Sequence, residues 1–453
     1  MKIVFLLNSK HSLRFYSTII FEATKRNYLI EIWLKENLFN MGNIKSLLPY
    51  FENKSKIKYL LYSDLEKQLT DCNSVDFFFS QNPININLSK ELLQKINKKF
   101  CILQHGHDSF STIWGWKRMY GSINLLQNYE RFFFASSLDF YNSKLQWMKN
   151  HPIDSENKEN YKFFDKDKTS VFPVGFTLFD NNLASLDKDL INKKYNFKKK
   201  VLLYLPFVFL PGRAKYELGG NFSWQCAFTE QHKMFLNSSS YRDENQKYSN
   251  KFKQISYPFF KSIRYFFELI KDKKARMWSR RNYTEKSVLN AIRIFCDKND
   301  LHLVIKSKDG HNFNKSLLNR EDIFISDDGN SYYPNVLQEI LSVSSLVVGY
   351  GTTAVYESII SNTPHLNLQP PQDNMANSKA PMLNRQHEVN SVNNFPGVVS
   401  QMEIPEAISI MHKMKVSDFD IIQSRRKIFM KSFTGQNCLS SSVSILDFLE
   451  SRK

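Results

Sequence analysis

Short apolar runs alternate with longer amphipathic stretches along the whole chain, and that alternation constrains the fold more than any other feature. A run of five or six apolar residues makes a buried strand, and apolar residues at three- and four-residue spacing make one face of a helix. In the first half, "KIVFLL" (2 to 7), "IEIWL" (30 to 34), "VDFFF" (75 to 79), "FCILQ" (100 to 104), "RFFFAS" (131 to 136) and "VFPVG" (171 to 175) read as strands. "FYSTIIFEATKR" and "SKELLQKINKK" read as helices between them. A β/α succession of this kind predicts a largely parallel sheet and a Rossmann-like domain.

The pattern restarts after a basic linker at about 181 to 200, with strands expected at 201 to 207, 301 to 307, 322 to 326, 345 to 350, 365 to 368 and 397 to 400. Helices are expected at 283 to 298 and 335 to 343. The chain of 453 residues therefore divides into an N-terminal Rossmann-like domain over 1 to 190 and a C-terminal one over 198 to 435. A terminal helix over 436 to 453 is expected to pack back on the first domain. The interval 211 to 282, rich in Asn, Ser, Lys, Tyr and Phe, is too long for an ordinary connection and reads as an insertion. Its "YPFFKSIRYFFELI" (257 to 270) has helical spacing of aromatics, which fits a helix packed on its own domain, or a membrane-surface or acceptor-docking helix.

Lys and Arg total 62 against 44 acidic residues, a net charge of +18 that favours an anionic partner. Clusters such as "NKKYNFKKK" and "KDKKAR" carry much of the excess, and solvated loops would account for them as well. Five cysteines without a C-x-x-C pair argue against a disulfide framework and against a structural zinc site, and fit a reducing cytoplasm. "MKIVFLLN" is too short for a signal h-region and reads as a first strand, and no apolar run reaches the roughly 20 residues that span a bilayer.

Ligands of open α/β sheets sit beyond the carboxyl ends of the strands, so the residues that follow the strands are the candidates. After the strand at 100 to 104 come His105, Gly106, His107 and Asp108, where a neutral imidazole can take a proton from an attacking hydroxyl. In "VGFTLFD" (174 to 180) a glycine follows a strand and Asp180 opens the linker, a candidate strand-end site that a turn with a capping Asp explains equally well. Arg213 in "YLPFVFLPGR" offers a planar fork for phosphate oxygens. "VVGYGTTAVYESIISNTPHLNL" (347 to 368) breaks an apolar run on Gly349 and Gly351, resumes as a helix at Thr352 and Thr353, and ends at a proline before another apolar run. Amides and hydroxyls at Gly351, Thr352 and Thr353 suit a phosphate, and Glu357, one turn deeper, suits a ribose diol.

The stretch "LQEILSVSSLVVGYGTTAVYESIISNTPHLNL" resembles the donor-binding segment of GT-B-type nucleotide-sugar transferases, above all the surface-polysaccharide and CDP-glycerol glycerophosphotransferase-related members. "LQHGHDSF", "VFPVGFTLFD", "VLLYLPF" and "FTGQNCLSSSVSILDFL" are similar to further elements of that group, in the same order. Where many relatives carry a Lys-Pro-His-Pro turn this chain has "IKSKDGHN", so the basic role passes to Lys306, Lys308 or His311, and His107 stands where the glycerophosphotransferases have Thr. The resemblance implies an α/β, GT-B fold with two Rossmann-like domains facing across a cleft. It also implies a nucleotide-activated sugar or polyol donor, a glycan or lipid-linked acceptor, and no metal or other cofactor. A cytoplasmic protein, peripheral at an anionic membrane surface and without a nucleic-acid partner, is expected. The rival readings are a GT-B sugar-nucleotide 2-epimerase and a non-catalytic polyanion-binding scaffold.

Overall fold

The computed structural model describes residues 1–7, 13–36, 57–70, 74–80, 100–103, 131–135, 169–177, 180, 186–206, 285–307, 313, 315–326, 335–350, 354–369, 389–435 and 440–453. They fall into two compact units, Met1–Asn182 with Asn330–Asn335 and Lys427–Lys453, and Leu183–Gly329 with Val336–Arg426. The helices, in chain order, are α1 (Leu13–Lys25), α2 (Leu65–Thr70), α3 (Lys188–Tyr195), α4 (Glu285–Lys298), α5 (Val336–Val343), α6 (Ala354–Ile360), α7 (Ile404–Ile410), α8 (Gln423–Phe429) and α9 (Ser441–Ser451).

In the first unit, β1 (Lys2–Leu7), β2 (Leu29–Lys35), β3 (Ile57–Tyr62), β4 (Phe77–Ser80), β5 (Phe100–Leu103), β6 (Arg131–Ala135) and β7 (Thr169–Pro173) form one sheet. Its order is β3-β2-β1-β4-β5-β6-β7, and every neighbouring pair is parallel. Aromatics fill its core: Phe5 stacks on Phe79 at 5.0 Å between ring centroids, and Phe79 on Phe134 at 6.1 Å. The sequence reading places six of these strands and misses β3, whose "IKYLLY" lies at the sheet edge with only Tyr62 buried.

The terminal helix α9 belongs to this unit and packs on α1. Phe448 of α9 lies edge-on to Phe132 and Phe134, at 5.0 and 5.8 Å between centroids. Asp180 fixes the start of α9, accepting from the Ser441 and Ser442 amides at 2.7 Å each and from the Ser442 hydroxyl. These are two of the amide donors that a helix start cannot satisfy internally, and a carboxylate there also meets the positive end of the helix dipole. Gly175 completes the seat. Its φ is +86°, and a Cβ there would stand 2.5 Å from Ser441 Oγ. The Gly-x-x-x-x-Asp stretch is thus a docking site for the last helix.

In the second unit, β8 (Lys200–Leu205), β9 (Leu301–Lys306), β10 (Ile323–Ile325), β11 (Ser344–Gly349), β12 (His365–Gln369) and β13 (Val399–Glu403) form a parallel sheet in the order β10-β9-β8-β11-β12-β13. One face carries Leu202, Leu303, Val348 and Leu366 against α4 and α7. The other carries Val201, Leu203, Val304 and Val347 against α5. The stretch 181 to 200, read from sequence as a basic linker, holds α3. Asp187 caps its start, Asn196 ends it at φ 57°, and Lys194 pairs with Glu339 of α5 at 2.8 Å. Asn27, Asn362 and Asp300 likewise stand in the left-handed region just after α1, α6 and α4. Asn and Asp tolerate that region through local side-chain hydrogen bonds, so these four helices close without Gly, whereas Gly435 at φ 61° closes the helical turn after α8. The expected helices at 89 to 99 and 257 to 270, and the 211 to 282 insertion, lie outside the described residues.

Candidate functional site

Chain order in the second sheet reverses between β8 and β11: β9 and β10 lie to one side, β12 and β13 to the other. At such a reversal the connections leave in opposite directions and open a crevice at the carboxyl ends of the strands. Leu205 and Gly349 end the two flanking strands, and Lys306 ends β9 next to β8. Tyr204 and Tyr350 stand on the opposite sheet face, with hydroxyls 3.2 Å apart. Gly349 does not take a positive φ, and a Cβ built on it would meet Leu205 Cβ at 3.4 Å and His365 Nε2 at 3.8 Å, both ordinary contacts. It is a strand residue, and the turn dihedrals that the sequence suggests for this glycine are not found there.

The polypeptide leaves β11 and re-enters as α6, which carries Glu357 in its first turn at 1% exposure. A carboxylate so deep is retained only where something repays its lost hydration. The helix is held at several points. Ser358 Oγ donates to the Val355 carbonyl at 2.8 Å and lies 2.9 Å from His365 Nδ1 on β12. At the far end, Arg426 donates to the Ile359 and Ile360 carbonyls at 2.8 Å each, and the Thr363 amide reaches back to the Ser358 carbonyl at 2.8 Å. Gln423 donates to Asn362 at 3.0 Å.

Beneath α6, β12 turns a polar stripe to the same side. His365, Asn367 and Gln369 alternate with Leu366 and Leu368, and all five are buried. Asn367 Nδ2 donates to the Asn393 carbonyl at 3.1 Å. Burial pushes the His365 imidazole down to about 3, so it is neutral at any ordinary pH. The sequence reading took "HLNL" as an apolar run; its period-2 alternation was the available signal for a strand with two unlike faces.

Of the residues proposed from sequence, Glu357 and Lys306 are both placed in the second unit, Lys306 buried at the carboxyl end of β9 and Glu357 buried on α6, which follows β11. Gly351, Thr352, Thr353, Arg213, Lys308 and His311, with His105, His107 and Asp108, lie outside the described residues. Among the described residues no group of three or more His, Cys, Asp or Glu is placed to hold a metal ion. No helix among them is long and apolar enough to cross a membrane.

No family model and no curated protein matches this sequence. Solved structures do. The wall teichoic acid polymerase TagF aligns over 100% of this chain and 88% of its own, at 12% identity and a TM-score of 0.52. A histidine-to-asparagine variant of it soaked with CDPG gives 11% identity, the same shares and a TM-score of 0.53. A UDP-N-acetylglucosamine 2-epimerase from Neisseria meningitidis bound to UDP-GlcNAc aligns over 100% of both chains, at 13% identity and a TM-score of 0.49. At such identities the TagF likeness is one of fold, and the fold of this protein is α/β of the GT-B type, with two Rossmann-like units.

Proposed function

We propose that the protein transfers a sugar, or a polyol phosphate, from a nucleotide-activated donor to a hydroxyl of a surface-glycan or lipid-linked acceptor. The observation that carries this reading is Glu357, a carboxylate at 1% exposure on the first helix after the strand-order reversal. In this reading Glu357 accepts from the donor ribose hydroxyls. Gly351, Thr352 and Thr353 offer amides and hydroxyls to its phosphates, and Lys306, with Lys308, His311 and Arg213, neutralises the departing nucleotide. His105 is the general base toward the acceptor hydroxyl, with His107 and Asp108 in reserve. The TagF structures, one of them soaked with CDPG, make CDP the first nucleotide to try.

The test is a thermal-shift panel of UDP, GDP, CDP and CMP, followed by titration of Glu357→Ala with the best of them. A bound nucleotide raises the melting temperature by mass action. Loss of hydrogen bonds to a charged acceptor weakens affinity by about 10- to 100-fold. Unchanged affinity in the folded variant would refute the Glu357 role. An epimer formed from the donor alone, without acceptor, would replace transfer by epimerisation.

A further inference from the structure

We propose that His365 is a positioning residue, whose imidazole holds Ser358 and through it sets the azimuth of Glu357 on α6. This rests on the reading of Glu357 as the nucleotide-binding carboxylate.

The inference starts from hydrogen accounting. Ser358 Oγ has one hydrogen and lies within bonding distance of two acceptor positions, the Val355 carbonyl at 2.8 Å and His365 Nδ1 at 2.9 Å. If the hydroxyl gave its hydrogen to the ring, the neutral imidazole would carry its own hydrogen on Nε2. That atom is buried and has no hydrogen-bond partner among the described residues. A buried N–H without an acceptor is much rarer than a buried lone pair without a donor. The hydrogen therefore sits on Nδ1, the ring donates to Ser358, and Ser358 donates to Val355. Each atom then has one role, and only an acceptor lone pair is left over, 3.8 Å from where a Cβ on Gly349 would stand.

Directionality is what this bond adds. The helix α6 has seven residues, too few to be stable alone, and its apolar contacts through Ala354, Val355 and Ile359 resist separation from the sheet more than rotation. Successive helical residues are about 100° apart around the axis. Fixing Ser358 against β12 therefore fixes the direction of its neighbour Glu357. Arg426 and Thr363 hold the far end of the helix, beyond Glu357, while His365 holds the middle. A leucine at 365 would fill the space without the desolvation that burying an imidazole costs.

Four variants of the full chain test this: His365→Asn, whose amide nitrogen can donate from near the Nδ1 position; His365→Leu, which cannot; Ser358→Ala; and Glu357→Gln. Two readouts are used, hydrogen exchange of the α6 amides without ligand, and affinity for the best-stabilising nucleotide of the panel above. Amides of β8 and β9 in the same samples report that the unit is folded. We expect His365→Leu to speed α6 exchange and to weaken nucleotide binding about tenfold each, and Ser358→Ala to do the same. His365→Asn should stay within about threefold of wild type, and the Leu–Ala double variant should be no worse than either single one. A filler role predicts instead that Leu is as good as Asn or better. Wild-type exchange in His365→Leu, or equal damage from Asn and Leu, would overturn the proposal. The reading beneath it fails separately, through wild-type affinity in Glu357→Gln while His365→Leu still loosens α6.

Discussion

The burial of His365 makes the second unit acid-sensitive in a calculable way. The ring titrates at about 3 in the folded protein and at about 6.5 in an unfolded chain. Between those values the unfolded state binds a proton that the folded state refuses. The stability that His365 contributes is therefore complete above about pH 6.5 and is lost progressively as pH falls toward 3. From pH 7 to pH 5 the loss integrates to about 2 kcal/mol, or roughly 4–8 °C in the melting temperature of a unit of this size. His302 is pushed the same way, first by burial and then by Lys199, but it is common to wild type and variant and cancels in their difference. The assay is native-state hydrogen exchange of the β8, β9 and β11 amides at pH 7 and 5, corrected for intrinsic rates, on wild type and His365→Asn. Wild type should lose about 2 kcal/mol more than the variant across that range. Equal losses would mean that the ring is hydrated, or that it keeps its proton in the fold, and the neutral-donor account of Ser358 would fall with it.

Asp180→Ala leaves the Ser441 and Ser442 amides and the Ser442 hydroxyl without their acceptor; the cost should be about 2–4 kcal/mol, seen as early proteolysis of the chain at α9, and wild-type resistance there would contradict the docking role. Two glycines should behave oppositely: Gly175→Ala meets both a positive φ and Ser441 Oγ and should cost about 2 kcal/mol or more, whereas Gly349→Ala should stay within about 0.5 kcal/mol in denaturant titration. His105→Ala is expected to abolish transfer while nucleotide affinity, measured by calorimetry, stays near wild type; near-normal turnover would move the role to His107 or Asp108. With a net charge of +18, the protein should sediment in part with anionic vesicles at low salt and be released at high salt, and retention at high salt would exclude a polybasic attraction.

What the sequence made legible follows from where each element lies. Strands buried on both faces, such as "KIVFLL" and "LHLVIK", are nearly continuous apolar runs framed by turn residues, so their existence and the β/α order of two Rossmann-like units could be read directly, whereas the GT-B type came from the resemblance. The edge strand β3 escaped because five of its six residues keep some exposure and so need no apolar run. The helix α3 escaped because its lysines read as a linker, although Asp187 and Asn196 mark its two ends as plainly as any caps in the chain. The spacing after the Gly-x-Gly break singles out Glu357 in the sequence. Its depth is not legible there, because an acidic residue in a helix is ordinarily solvated, and only the tertiary contacts of α6 bury it.

The polar stripe of β12 has a further consequence when the two sheets are compared as sequences of side chains. In both, chain order reverses once, between β1 and β4 in the first and between β8 and β11 in the second. The strand just past the first reversal is "FFFS", with Phe78 and Phe79 fully engaged in an aromatic core. Just past the second, β11 ends in a glycine, and the next strand buries His365, Asn367 and Gln369 on one face. Polar groups in a dry interior must be bonded to avoid a desolvation cost, and an apolar strand of equal volume would hold a parallel sheet without that requirement. Their concentration on β12, which packs against the Glu357 helix, is therefore more than an apolar core strand requires. It fits the proposed recognition role, in which a short helix that presents a carboxylate at a fixed angle has a directional partner beneath it in His365. On the same proposed reading the aromatic sheet of the first unit is a scaffold, and the proposed base His105, with His107 and Asp108, follows β5 in the sequence.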